Sequence, residues 1–166
     1  HIHRRLGQLS EARIQFRHAV ELSVDNHDAL TALLELARTD KERKEELVFI
    51  EQQLIQQVVA GDGLVTFLEL ARPILEPEVL LKSLRQAHAE RPDLWHAWGA
   101  LISQLAQLNQ LDEALVIARQ ATERFSHVPR AWLDLATVHQ WRHELELEIA
   151  AAQRAYPRLS GRVLTI

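Results

Sequence analysis

The chain has 166 residues, of which 47% are hydrophobic and 25% are charged, and its formal net charge is −4, which is ordinary for a folded globular domain. The absence of Cys excludes disulfides, thiolate metal ligands and thiol nucleophiles. The mildly acidic balance, with basic residues scattered among acids, argues against nucleic-acid binding, and no apolar stretch is long enough for membrane insertion.

Amphipathic segments alternate with short polar breaks along the whole chain, which predicts a series of helices. Gly7 is predicted to end the first helix, and the Gly61-Asp62-Gly63 cluster is predicted to break the chain. The absence of Met and the last residues, 162–166, suggest a piece of a longer protein. The predicted helices span residues 1–6, 9–24, 28–38, 42–60, 64–72, 77–89, 93–108, 111–124, 129–141 and 144–156.

Residues 98–125 show the pattern of one helical hairpin most clearly. Asn109 marks the bend between two apolar stripes, each with the 3–4 residue spacing of a helix face. The first stripe consists of Trp98, Leu101, Ile102, Leu105 and Leu108, and the second of Leu111, Ala114, Leu115, Ala118 and Ala121.

The same pattern recurs every 34 residues without insertion or deletion. Because a single hairpin cannot bury its own apolar faces, we expect each hairpin to pack on the next, with the recurring large residues in the core. The pentapeptide of residues 34–38 is repeated at 68–72. The recurring positions include Leu30, Leu64, Trp98 and Trp132, and, three residues later, Leu33, Phe67, Leu101 and Leu135.

These features resemble the tetratricopeptide repeat (TPR) family. Trp98 and Leu101, like Trp132 and Leu135, match the opening Trp-x2-Leu of its pattern, and Ala12-x3-Phe16, Ala19 and Pro92 match later positions. The resemblance implies an all-α, right-handed solenoid of stacked antiparallel helix pairs. It further implies a single domain over 1–166, divided into a half repeat, 1–26, and repeats 27–60, 61–94, 95–128 and 129–162.

One unit departs from the family pattern. Glu46 and Gln53 lie where small residues are expected, so we interpret the unit 27–60 as degenerate.

The resemblance implies that a partner binds along the concave groove formed by the first helices of the repeats. The alternative for Glu35 with Arg38, and for Glu69 with Arg72, is an ion pair three residues apart on a solvated helix. The Lys and Asn with which some family members hold a terminal carboxylate are missing. The candidate partner-binding residues are Thr31, Glu35, Arg38, Glu69, Arg72, Ser103, Thr137 and Trp141.

The four tryptophans divide into two pairs. Trp98 and Trp132 fall on the repeat stripe and are predicted to lie in the core. Trp95 and Trp141 fall off it, and a partly exposed Trp would be a good interface anchor; the alternative for Trp95 is a side chain that covers the seam between units.

No catalytic motif is present: the chain has neither a Gly-rich phosphate loop nor a G-x-S-x-G or H-E-x-x-H sequence. His139 and His143 are four residues apart, a spacing that suits metal binding on one helix face, but packing or solvent exposure is the preferred interpretation. We therefore predict no enzyme activity, no cofactor and no metal site.

The function that follows is a protein–protein interaction scaffold that binds a peptide or a helix of a partner. One alternative is an architectural module that self-associates through uncapped end helices. Another is an accessory, substrate-positioning region of a larger multidomain enzyme. The sequence does not fix the compartment.

Overall fold

The computed structural model describes residues 2–57 and 61–156, and for residues 2–6 it describes the backbone only. These ranges contain helices and no strand, and none of the helices is long and apolar enough to cross a membrane. The predicted element at 162–166 lies outside the described residues. The helices are α1 Ile2–Leu22, α2 His27–Leu36, α3 Asp40–Gln56, α4 Gly61–Ala71, α5 Pro77–Glu90, α6 Trp95–Gln107, α7 Leu111–Arg124, α8 Pro129–Trp141 and α9 Leu145–Ala155.

The described residues divide into two compact units at the His96–Ala97 boundary, which falls in the first turn of α6. In the first unit, α2 packs against α1, α3 and α4, and α3 also packs against α4 and α5. In the second unit, α8 packs against both α7 and α9. Short connections join successive helices, as the hairpin pattern predicts.

Two glycine-based predictions are wrong. Gly7 does not end a helix, because α1 runs through it; its surroundings are open, and a helix tolerates an interior glycine at a cost of about 1 kcal/mol. Gly61 and Gly63 do not break the chain but form the first turn of α4. Both are buried, and a Cβ would lie 2.5 Å from the His96 ring at position 61 and 2.3 Å from the Val24 carbonyl oxygen at position 63. These two glycines therefore allow close packing.

The 34-residue register identifies the core with one exception. Leu30, Leu64 and Trp98 are buried, and so are all four residues found three positions later in the repeats. Trp132, predicted to be core, is only half-buried, because its indole N–H donates to the Ser126 carbonyl at 3.0 Å and its ring lies under the Arg154 guanidinium. Equivalent positions in the repeat are thus equally buried, with Trp132 as the exception.

The turns of the last two hairpins share one geometry. Asn109 and His143 are 34 residues apart, and both have positive φ, 57° and 61°. Each is followed by a residue whose N–H donates five residues back, Gln110 to Leu105 O at 2.9 Å and Glu144 to His139 O at 2.9 Å. Each is thus the left-handed residue of a Schellman motif, which ends the helix and reverses the chain.

We expect His143→Gly to raise the free energy of unfolding by about 0.5–1 kcal/mol, because glycine adopts the left-handed conformation without the Cβ clash that a histidine suffers there. Urea unfolding followed by circular dichroism measures the change. Gln140→Gly, an exposed site within α8, is the matched control and should destabilise by about 0.5–1 kcal/mol. A destabilised His143→Gly variant would contradict the proposed role of the turn.

Candidate functional site

A groove runs between α6 and α8 within the second unit and encloses a cavity of about 120 Å³. On each helix, successive lining residues are one, three or four positions apart, so they lie along one helix face. We call this feature the α6–α8 groove; it is lined by Ile102, Ser103, Ala106 and Gln107 of α6 and by Arg130, Asp134, Thr137, Val138 and Trp141 of α8.

The groove has an apolar floor and an aromatic edge. Ile102, Ala106 and Val138 are buried, whereas 45% of the Trp141 surface is exposed. A large, partly exposed indole beside a dry floor is the usual composition of an interface anchor. Of the two off-stripe tryptophans, Trp141 is thus the exposed one, while Trp95 is half-buried and stacks on His96.

Asp134 brings a buried carboxylate into this apolar setting. Its Oδ1 accepts a hydrogen bond from Arg130 Nε at 2.9 Å, and its Oδ2 lies close to Gly99 of α6, where a Cβ would come within 2.8 Å of it. Burial raises the pKa of Asp134, and the Arg130 guanidinium only partly opposes that shift. Asp134 was not predicted as a site residue; the signals present in the sequence were the i,i+4 spacing of Arg130 and Asp134 and the glycine at position 99.

The raised pKa of Asp134 leads to a pH-dependent prediction. The Asp134 carboxyl group binds its proton more tightly in the folded state than in the unfolded state. The protonated carboxyl group therefore stabilises the fold fully below the ordinary pKa of 3.8, and this stabilisation is lost as the pH rises through the pKa of the folded state. Asp134→Asn removes that loss, so its free energy of unfolding should increase relative to wild type as the pH rises from about 3 to about 7.

Urea unfolding at a series of pH values tests this effect, with Glu123→Gln, an exposed site on α7, as the control that should show no such divergence. If the difference in free energy of unfolding between Asp134→Asn and wild type is the same at every pH, burial of the ionised carboxylate does not destabilise the fold.

Three of the predicted partner-binding residues, Ser103, Thr137 and Trp141, meet in the α6–α8 groove. The hydroxyl of Thr137 donates to the Leu133 carbonyl at 2.9 Å, so it is held against its own helix. These side chains give the groove a polar rim over its apolar floor.

Four other predicted residues lie in the first unit, on or just after α2 and α4. Glu35 and Glu69 are exposed and occupy the same repeat position as Ser103. Thr31 is half-buried, and its Oγ1 is buried without a hydrogen-bond partner. Arg72 is half-buried; burial lowers its pKa, while the Glu69 carboxylate acts in the opposite direction.

Arg38 lies in a different place from the other candidates. It follows the end of α2, its backbone N–H donates to Glu42 Oε2 at 2.7 Å, and it lines a separate cavity of about 160 Å³ with Leu9, Ser10 and Arg13 of α1. This hydrogen bond lowers the pKa of Glu42, which also forms the capping box of α3 with Thr39. Arg38 therefore belongs to the turn between α2 and α3.

The two spaced histidines do not share a helix face. His139 is buried in α8, and its Nδ1 lies 2.6 Å from Glu144 Oε2, a contact that lowers the pKa of Glu144. His143 lies beyond the end of α8 at the left-handed turn position. Within the residues that the structure describes, no three His, Cys, Asp or Glu side chains form a metal-binding group.

Comparisons with known proteins identify the fold. No family model and no curated protein matches the sequence. The crystal structure of YrrB, described as a TPR protein with an unusual peptide-binding site, is 18% identical and superposes with a TM-score of 0.56 over 96% of this chain and 86% of that chain. Two structures of MamA are 11% and 13% identical, each with a TM-score of 0.58, and cover 98% of this chain and 95% and 91% of theirs.

These likenesses confirm the predicted fold class. The chain has the TPR-like helical repeat fold of an all-α solenoid. At these levels of sequence identity the comparison concerns the fold alone.

Proposed function

We propose that the chain is a protein–protein interaction scaffold that binds a peptide or helical segment of a partner in grooves between its first helices, without catalysis of its own. The observation that carries the proposal is the α6–α8 groove, where the exposed Trp141 ring borders a buried apolar floor. The likeness to YrrB, a TPR protein with a peptide-binding site, supports the same conclusion.

The size of the groove favours a side chain over a complete small molecule. Pockets for drug-sized ligands have volumes of about 300–1,000 Å³, whereas this cavity has about 120 Å³. A cavity of this size accommodates one side chain of a segment whose backbone continues along the helices. Recognition of extended or helical segments in grooves works in this way.

Selection from a random-peptide display library, followed by fluorescence anisotropy with the enriched peptides, tests the proposal. Thr137→Arg places a large side chain in the groove from an exposed position and should weaken binding about tenfold or more. Gln140→Arg makes the same change of charge on α8 outside the lining and should bind like wild type. Failure to enrich any peptide, or equal binding by both variants, would contradict the proposal.

The same proposal extends to the first unit through Glu35 and Glu69. Both carboxylates are exposed on the neighbouring helices α2 and α4, so Glu35→Lys and Glu69→Lys should leave the melting temperature nearly unchanged. If the partner segment crosses this unit, both variants should weaken its capture. Unchanged affinity would restrict the binding surface to the second unit.

Self-association is a second candidate, favoured by the exposed apolar side of α9. Leu145 and Ile149 are 65% and 48% exposed, whereas the equivalent positions of α7, Leu111 and Leu115, are half-buried in a helix that packs against the next hairpin. A second copy of the chain carries hairpins of the same kind and is the proposed occupant. Sedimentation should then show concentration-dependent association that Ile149→Lys abolishes; a monomer at every concentration would exclude it.

A further inference from the structure

The chemistry of the α6–α8 groove is uneven, because its charge and its exposed aromatic ring lie on one helix. Asp134, Val138 and Trp141 are separated by four, three and seven residues, so they share one face of α8. The opposite wall, from α6, consists of Ile102, Ala106 and two uncharged polar side chains. A ligand side chain that enters the groove therefore meets the Asp134 carboxylate with its paired guanidinium and an indole on one side, and uncharged groups on the other.

The carboxylate of Asp134 is only partly compensated. Only 11% of its side chain is exposed, and its ion-pair partner, Arg130, is 63% exposed. A solvent-exposed guanidinium contributes little to a pair, since water competes for it. The pKa of Asp134 remains raised despite Arg130, which indicates that a further positive charge near the carboxylate would be stabilising.

The rest of the groove fits the other parts of a long cationic side chain. Ile102, Ala106 and Val138 give the groove an apolar floor suited to an aliphatic stem, since lysine and arginine bury their methylenes while the charge stays at a polar site. The exposed indole of Trp141 attracts a cation over its face. The cavity of about 120 Å³ is well below the roughly 300–1,000 Å³ of pockets for complete small ligands, which suits one such side chain.

The ionisable groups that line the groove are Asp134 and Arg130, both from α8, and α6 contributes none. An acidic ligand side chain would have to pair with Arg130 while lying beside the Asp134 carboxylate. A basic side chain would instead relieve the buried charge, and the net charge of −4 favours its approach. The balance of charge therefore favours a basic ligand.

We infer that the α6–α8 groove receives a lysine or arginine side chain of the partner segment, with its cation between the Asp134 carboxylate and the Trp141 ring. This inference rests on the proposed function, because it specifies the residue type that the groove accepts. It assigns Asp134 to specificity and Trp141 to both packing and cation binding.

A double-mutant cycle tests the inference. Peptides are first enriched from a random display library on the wild-type protein. Each is then synthesised in two forms, one that retains a given Lys or Arg and one that has norleucine in its place. The affinity of both forms is measured by fluorescence anisotropy for wild type, Asp134→Asn and the control Glu123→Gln. Wild type and Glu123→Gln should prefer the basic peptide about 10-fold or more, and Asp134→Asn should lose most of that preference. Urea unfolding of the Asn variant at the pH of the binding assay, which should show it folded, separates this result from a loss of folding.

Each outcome separates the inference from the proposed function. Enriched peptides without Lys or Arg, peptides with Asp or Glu at the coupled position, or a basic preference that survives Asp134→Asn would overturn the inference and leave the scaffold proposal intact. No enriched peptide at all would refute both. Trp141→Ala should also reduce affinity for the basic peptide, and Trp141→Phe should restore part of it, since phenylalanine retains an aromatic face.

Discussion

Gly63→Ala should lower the free energy of unfolding by about 2–4 kcal/mol, a large fraction of the 5–15 kcal/mol that is typical of a domain. A Cβ at this position would lie 2.3 Å from the Val24 carbonyl oxygen and 2.9 Å from its carbon. These are backbone atoms, so relief requires α4 to move away from the α1–α2 connection. That movement would also weaken the hydrogen bond from Gly63 N–H to Asp25 Oδ1, now 2.7 Å, which caps α4.

Gly7→Ala is the matched control for this prediction. Gly7 lies inside α1, is exposed, and has no heavy atom within 4 Å of a Cβ. The same substitution should there raise the free energy of unfolding by about 0.5–1 kcal/mol, because alanine is the better helix former. Urea unfolding compares the two variants, and a Gly63→Ala variant within 0.5 kcal/mol of wild type, on the scale of ordinary surface substitutions, would show that the close approach is not needed.

Glu46→Ala should lower the free energy of unfolding by about 2–4 kcal/mol. The Glu46 carboxylate is fully buried in α3 and accepts hydrogen bonds from Arg13 and Arg17 of α1, with Arg17 Nε at 2.9 Å from Oε2. Removing it leaves two guanidinium groups without their common partner and opens a space between the helices. The estimate is below that for a completely buried pair because both arginine side chains are partly exposed, 28% and 37%.

Glu45→Ala is the adjacent control for Glu46→Ala. Glu45 is exposed, and its contact with Lys41, 3.9 Å, is an i,i+4 surface pair that contributes at most about 0.5 kcal/mol. In thermal and urea unfolding, Glu46→Ala should therefore be clearly less stable than Glu45→Ala. Equal effects would indicate that the buried carboxylate does not hold α1 against α3.

Glu46 also explains why the unit 27–60 departs from its neighbours. At the equivalent position of α7, the small residue Ala114 is buried, as the repeat pattern predicts. In α3, a carboxylate fills this position because two arginines of α1 reach it. The sequence could show that Glu46 was out of pattern, but it could not show that Arg13 and Arg17, 33 and 29 residues earlier, were its partners.

The sequence predicted the fold well because the repeat depends on periodicity. Burial at Leu30, Leu64 and Trp98 follows from apolar residues in register, and that pattern is visible along the chain. Glycine was harder to interpret: Gly7 and Gly63 are the same residue type, but one faces open space and the other a carbonyl oxygen. The surroundings of a glycine depend on how closely another part of the fold approaches its helix, and the local sequence does not contain that information.

The candidate site was predicted in part for the same reason. Ser103, Thr137 and Trp141 were identified from repeat position and from an off-stripe tryptophan, and they line one groove. Asp134 was missed because its significance depends on burial against Gly99 of another helix, whereas its sequence context suggests an ordinary i,i+4 surface pair with Arg130. The burial of a charged side chain in an apolar groove depends on contacts between helices, so it could not be predicted from the sequence of α8 alone.

The most direct test of the α6–α8 groove as the binding surface is the NMR spectrum of ¹⁵N-tryptophan-labelled protein, titrated with a peptide selected on the wild type. The four tryptophans provide four indole N–H signals as separate reporters. The Trp141 signal should shift with increasing peptide while that of the buried Trp98 stays in place. Saturable binding that leaves the Trp141 signal unchanged would contradict the assignment of the groove.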